Sequence, residues 1–400
     1  MRAAGIIAEY NPFHSGHAHQ ISQTRRLLGP ECAVVCCMSG CWVQSGAPAA
    51  SDKWIRARIA VLGGADLVVE LPALWAVSSA ETFAWGGVSL LAASGLVTDL
   101  SFGSECGDAA ALAAAAECLD SDEYRAGLRR FLDEGMSFAA CRQAVAEGLL
   151  GREGAAVLTR PNDNLGVEYL RALRRLEAPI RPLAVRREGA GYHDCGGERA
   201  RFVSATQVRR WLSDGAWAAA EPYLIPGEAG LLRGAGLCLP PQSGAERAVL
   251  ARLRTMTAAD WAQLPDSGAA EGLPARLERA GRAARSLEEF YALAKTKRYP
   301  HARLRRLALW AFLGLRADDR PERPPYLRVL AMNGRGRALL REMKRAAALP
   351  VVTKPAHVRA LDADCRRVFE LEARCTDLYG LLLPEPPAGG REWREGPAIL

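Results

Sequence analysis

AAGIIAEYNPFHSGHAHQISQTRRLL, residues 3–28, decides how the rest of the chain is read. Residues 3–9 form a short apolar run, the pattern of a strand buried on both faces of a sheet. The turn Asn11-Pro12-Phe13-His14-Ser15-Gly16-His17 follows at once. A helix then fits residues 15–28 and stops at Gly29-Pro30. The same alternation continues downstream. CAVVCCM (32–38) reads as a second buried strand, and a helix capped by Ser51 runs to Leu62. DLVVEL (66–71) is a third strand, 79–93 a helix and VTDLSF (97–102) a fourth strand. Strands and helices at this spacing require right-handed crossovers, which gives an α/β fold with a Rossmann-like, doubly wound parallel sheet.

Farther along, residues 105–177 lose the alternation and read as a helical insertion, with helices over 122–134, 137–149 and 164–176. The sheet resumes at 180–186, and 204–212 is a further helix. Beyond the Pro/Gly-rich stretch 221–242 no strand is expected, and helical patterns dominate to about residue 382. The expected organisation is a catalytic domain over 1–215, a mainly helical domain over 216–383, and a loosely held tail over 384–400.

The chain has 400 residues, 49% hydrophobic and 24% charged, which suits two buried cores and excludes a disordered chain. No apolar run reaches the roughly 18 residues a membrane span needs. Eleven cysteines without framework spacing and no export signal imply a reduced, cytoplasmic chain. Cys32, Cys36, Cys37 and Cys41 read as small hydrophobes of a buried strand, with Cys36 and Cys37 facing opposite sides.

The net charge of +7 is uneven. Residues 1–215 hold 22 cations and 24 acids, and residues 216–400 hold 30 and 21. Between 295 and 345 there are fifteen cations and four acids. The preference for Arg, 47 against 5 Lys, fits compositional bias, but bias does not explain why acids thin out in that window. A small-molecule domain joined to a polyanion-binding region is the expectation.

The chemistry is expected at the first turn. Ligands of open parallel sheets bind at the carboxyl ends of strands, and a helix N-terminus favours phosphate. His14 and His17, three apart, can reach one side of the turn, and Gly16 leaves room for a ligand. Two imidazoles there can stabilise charge growing on an α-phosphate as pyrophosphate leaves. Only Glu9 or His19 is near enough to be a third metal ligand, so no protein-bound metal is expected. Ordinary helix capping is the bland reading of the pair. FVSATQVR (202–209) is also a plausible capping box, Ser204 with Gln207.

The His motif resembles the HxGH signature of the nucleotidyltransferase superfamily, and FVSATQVR its late Ser/Thr…Arg segment. A closer resemblance, to the tRNA(Met) cytidine acetate ligase family, runs collinearly over about three quarters of the chain. It is carried by GIIAEYNPFHSGHAHQI (5–21), residues 38–72, LSFGSE (100–105), PNDNLGVEYLRAL (161–173), REGAGYHD (187–194), FVSATQVR and KTKRYPHARLRR (295–306). The resemblance implies that ATP and acetate form acetyl-adenylate, which acetylates the wobble cytidine of elongator tRNA(Met). Catalysis then falls to His14 and His17. ATP contacts fall on Ile7, Ala8, Glu9, Tyr10, Asn11, Pro12, Phe13, His14, Ser15, Gly16, His17, Ala18, His19 and Gln20, with Gly103, Asn162 and Arg187. Ser204, Thr206 and Arg209 are candidate phosphate contacts. Lys295, Lys297, Arg298, Arg303 and Arg306 are candidate tRNA contacts. Mg²⁺ would arrive only with ATP, and no protein or membrane partner is implied. Gly189-Ala190-Gly191 would let the backbone pass close to a ligand. Ser15, Cys41 and Ser45 depart from the family pattern, which usually has Asn, Asn and Arg there. The alternatives are a small-molecule adenylyltransferase of the same superfamily, disfavoured by the extra basic half, and an inactive RNA-binding protein, disfavoured by both histidines.

Overall fold

In the computed structural model, residues 2–134, 136, 138–188, 201–239 and 243–400 are described. The strands are β1 (Ala3–Ala8), β2 (Ala33–Ser39), a small hairpin of β3 (Trp42–Val43) and β4 (Ala47–Pro48), β5 (Leu67–Leu71), β6 (Val97–Ser104), β7 (Arg181–Arg186), β8 (Leu327–Met332), β9 (Val351–Val352) and β10 (Ala398–Ile399). The main sheet runs β10-β8-β5-β2-β1-β6-β7, with β9 on β8. From β5 to β7 every pair is parallel. Strand order reverses at β1: β2 and β5 lie to one side, β6 and β7 to the other. Such a reversal opens a crevice at the carboxyl ends of the strands.

Alternation along the strands builds two cores. Ile6, Val34, Cys36, Met38 and Val68 point to one face, with Phe13, Trp54 and Val208. Ile7, Val35, Cys37 and Val69 point to the other, with Trp75, Phe83 and Val88. A period of two side chains per pleat puts Cys36 and Cys37 on opposite faces, as the sequence implies. The insertion is helical, at Ala109–Asp120, Asp122–Asp133 and Phe138–Ala155, ahead of the helix Pro161–Arg175. No helix of the described residues is long and apolar enough to cross a membrane.

Two expectations about the C-terminal half need correction. Residues 216–383 do not form a body apart from the sheet. Leu224 and Leu232 pack in the same core as Ile6, and β8 pairs antiparallel with β5. The strand LRVLAM was illegible because Arg328 interrupts its apolar run, and nothing local marks that cation as buried. The end of the chain is not a loose tail either. β10 pairs with β8, and Glu392 is fully buried.

A buried charge cluster explains both corrections. On α2, taken here as the helix Lys53–Leu62, the Lys53 Nζ lies 2.6 Å from Glu70 Oε1 and 2.5 Å from Glu392 Oε2. Glu372 Oε1 is 3.7 Å away. Glu392 Oε1 meets Arg328 Nε at 3.2 Å. Burial alone would raise the Glu392 carboxyl, but Lys53 and Arg328 outweigh it and hold it below its ordinary value. Glu70 goes the other way, pushed up by burial and then by Glu372 and Glu392 against the pull of Lys53. The cluster joins β5, α2, β8, the helix Ala363–Gly380 and the final helix Arg391–Arg394.

Glu392→Ala removes the carboxylate that Lys53 and Arg328 share. Stranding buried cations costs about 3–5 kcal/mol, so urea unfolding should show a loss of that size, and a loss of less than about 1 kcal/mol would contradict the arrangement.

Candidate active site

The helix Ser15–Leu28, α1, starts at the strand-order reversal, directly after β1. Between them Tyr10 takes a left-handed φ of 47° and the Asn11-Pro12 peptide is cis. Tyr10 and Phe13 are buried in the core beside Trp54, and the Tyr10 hydroxyl lies 3.3 Å from Cys36 Sγ. The turn is thus anchored from below while its upper side stays open.

His14 is the N-cap of α1. The Gly16 N–H donates to His14 Nδ1 at 3.1 Å, and the His14 N–H donates to His17 Nδ1 at 3.2 Å. The two rings stack with centroids 3.8 Å apart. A side chain on Gly16 would place its Cβ 2.9 Å from the His14 ring, so the glycine is needed for the ring to fold back on the helix. Each imidazole accepts at Nδ1 and must therefore carry its proton on Nε2, as a neutral donor. Burial pushes His14 down to about 3, helped by Arg187 and Arg209. Burial also pushes His17 well below its ordinary value, followed by His14 and Arg187. Capping does not exclude a role toward a ligand, because capping at Nδ1 leaves the Nε2–H of each ring uncommitted to the cap.

An open cleft lies over the pair. Of the expected nucleotide residues it brings together His14, Gly16, His17, His19, Gln20, Gly103, Arg187 and Ser204. Arg187 lies across Gly103, whose added Cβ would be 3.3 Å from the Arg187 Cγ. Ser204 caps the helix Ala205–Ser213 by accepting from the Gln207 N–H at 3.2 Å. Two helix N-termini, each with partial positive charge, therefore open on the cleft. Arg209 ties them together, donating to Asn11 O at 2.6 Å and to Thr206 Oγ1 at 3.0 Å.

The other expected contacts lie elsewhere. Ile7, Tyr10, Asn11, Pro12 and Phe13 are buried beneath the turn. Asn11 Oδ1 accepts from the Ala50 N–H at 2.7 Å. Ala8, Glu9, Ser15 and Ala18 flank the turn without lining the cleft. Glu9 Oε1 accepts from the Gln44 N–H at 2.7 Å, and burial raises its carboxyl above the usual range. Asn162 donates to Glu105 Oε1 at 2.6 Å, closing the loop after β6 onto the helix Pro161–Arg175. Gly189, Ala190 and Gly191 lie outside the described residues. Sequence reasoning missed Val185, Arg186, Glu188, Phe202 and Val203, which also line the cleft. Their nearness to Arg187 and Ser204 was the one available signal.

The basic segment divides. Lys295, Lys297 and Arg298 are exposed. Arg303 donates to Asp266 O at 2.8 Å and lies 3.4 Å from Glu271 Oε2, so its guanidinium is engaged within the protein. Arg306 is half-buried, and burial lowers its pKa. Cys41 is fully buried, whereas Ser45 is exposed. Among the described residues no group of three or more His, Cys, Asp or Glu could hold a metal ion, and the ten described cysteines are unpaired.

Comparison with known proteins identifies the family and the fold. A family model described as HIGH Nucleotidyl Transferase matches residues 1–391. A tRNA(Met) cytidine acetate ligase of Clostridium kluyveri is 36% identical, covering 96% of this chain and 95% of its own. One from Acetivibrio thermocellus is 31% identical over 100% of both chains. Among solved structures, apo Thermotoga maritima TmcAL is similar with a TM-score of 0.92, at 30% identity over 100% of both chains. The same protein bound with alpha-thio ATP gives 0.89, at the same identity and coverage.

The histidine geometry predicts a pH dependence of stability. The folded-state pKa of His14 lies below its unfolded value of 6.5, so the unfolded chain binds the extra proton as pH falls through 6.5 towards 3. Between pH 7 and pH 5 this group should cost about 2 kcal/mol of stability. His14→Gln should lose less stability than wild type over that interval in denaturant titrations, and equal losses would show that His14 is not buried neutral.

Proposed function

The chain belongs to the HIGH nucleotidyl transferase family and, within it, to the tRNA(Met) cytidine acetate ligases, and on that footing we propose that it activates acetate as acetyl-adenylate and acetylates elongator tRNA(Met) at the wobble cytidine. It is an ATP-dependent ligase. The observation that carries the activation step is the pair of capped, neutral imidazoles: both Nδ1 atoms are taken by backbone N–H groups, so both Nε2–H groups are available to one ligand.

In the first step an acetate oxygen attacks the α-phosphorus of ATP. The bond between the α-phosphorus and the bridging oxygen breaks, and pyrophosphate leaves; Mg²⁺ carried in with the ATP would offset the charge of the departing group. His14 and His17 donate from Nε2 to the α-phosphate as its charge grows. Because both stay neutral, they stabilise that charge without a proton having to be gained first. Arg187 supplies a full positive charge at the same cleft, and the N-termini of α1 and the helix Ala205–Ser213 add partial charge. In the second step the cytidine N4 attacks the acetyl carbonyl, AMP leaves, and the amine loses a proton. No enzyme nucleophile is required. This fits the cysteines, since burial pushes Cys36 and Cys41 up to about 12 and removes their thiolates at neutral pH.

Acetate-dependent exchange of pyrophosphate into ATP tests the first step without RNA. His14→Ala or His17→Ala should each lower it by about two orders of magnitude, the usual cost of one such donor. Exchange at the wild-type rate in either variant would remove the histidines from the reaction. For tRNA, Lys297→Ala with Arg298→Ala should weaken binding and flatten its log–log salt slope by about 0.7–0.9 per lost phosphate contact, with exchange unchanged. An unaltered slope would make that patch a solvated face.

A further inference from the structure

The hairpin of β3 and β4 touches both halves of the proposed reaction, though neither half accounts for it. On one side its tip is held to the adenylate turn, because Glu9 Oε1, one residue past β1, accepts the Gln44 N–H at 2.7 Å. On the other side Gly46, at φ 76°, lies against the helix His301–Leu313 that carries the cations at 303, 305 and 306. A Cβ on Gly46 would come within 2.6 Å of both Arg305 C and Arg306 N, so the two backbones meet with no side chain between them. The base of the hairpin is rigid. Trp42 Nε1 donates to Cys375 O at 3.0 Å, its ring meets the edges of Phe312 and Tyr379, and Ala49 N–H closes the loop onto Cys41 O at 2.9 Å. At the tip, Ser45 is exposed, the Gln44 side chain is only partly covered, and Arg305 is exposed alongside. A buried frame that ends in an exposed polar tip beside a cation is what a surface needs to hold a polyanion in register.

We propose that the tip Gln44-Ser45-Gly46 is an RNA-positioning element, which with Arg305 holds the tRNA backbone between the basic helix and the adenylate cleft. The inference rests on the functional reading above and adds a contact that reading does not contain. Gln44 and Ser45 touch RNA in this account and take no part in acetate activation. Glu9 acts through the hairpin: it fixes the tip relative to the histidine turn, which Glu9 precedes in sequence.

The test varies the exposed residue in both directions. Ser45→Arg should tighten tRNA binding and steepen its log–log salt slope by about 0.7–0.9, one added phosphate contact. Ser45→Glu places a negative charge in the same path and should weaken binding by roughly five- to tenfold at low salt. Both should leave acetate-dependent pyrophosphate exchange at the wild-type rate, because Ser45 is exposed and does not line the nucleotide cleft. Gly46→Ala forces the tip off the helix. It should lower acetyl transfer to tRNA while exchange persists, which also reports that the variant is folded. Unchanged tRNA affinity and salt slope in both Ser45 variants would overturn the inference and leave the functional reading standing. Loss of exchange in Ser45→Glu would also overturn it, by placing the tip in the activation step. A wild-type protein that neither exchanges nor binds tRNA would sink the functional reading itself.

Discussion

Four main-chain carbonyls end on one buried guanidinium. Arg56, on the first turns of α2, donates from Nε to Ser51 O at 2.9 Å and from Nη1 to Glu9 O at 2.5 Å. Its Nη2 donates to Ser39 O at 3.1 Å and also to Gly40 O. These carbonyls belong to the outgoing ends of β1 and β2 and to the segment leading into α2. At the edge of a parallel sheet such carbonyls have no strand to accept from, and buried ones must still be satisfied. Arg suits the position because it stays charged when buried and presents several donors in a fixed fork. One turn earlier on the same helix, Lys53 answers the carboxylates of Glu70 and Glu392. Two buried cations near a helix N-terminus oppose the macrodipole. The Asp52 cap and the surrounding acids and carbonyls offset that cost.

The consequence is a sheet edge whose loops cannot drift independently. The histidine turn, the β3–β4 hairpin and the end of the chain all hang from α2, through Glu9 O, Gly40 O and Glu392. A capped imidazole is only as well aimed as the turn that carries it. The precision of His14 and His17 therefore comes from residues that never meet the substrate. Burial has a second effect at the same place: by keeping both rings neutral it makes them hydrogen-bond donors of fixed tautomer, the state that the proposed adenylation step requires.

What could be read from the sequence follows the range of the forces involved. Strand burial and the first turn are local, so the period-two split of Ile6 from Ile7 and the placing of His14 and His17 were plain in residues 3–28. The Ser204 cap was equally local. Contacts set by distant partners were not. Arg328 sits in the middle of β8 and looks like a reason against a strand until Glu392, far away in sequence, neutralises it. Arg303 reads as a free cation in a basic run, yet Asp266 and Glu271 occupy it. Tyr10, Asn11 and Phe13 belong to the motif by position but to the core by packing. Phe202 and Glu188 enter the cleft only because the segments that carry them return to the same sheet edge.

Nucleosides from tRNA incubated with the protein, ATP and isotopically labelled acetate, separated and weighed by mass spectrometry, give the most direct test of the account. It predicts labelled N4-acetylcytidine in elongator tRNA(Met), dependent on ATP and lost when both His14 and His17 are replaced. Unlabelled cytidine throughout, or label incorporated without ATP, would contradict it.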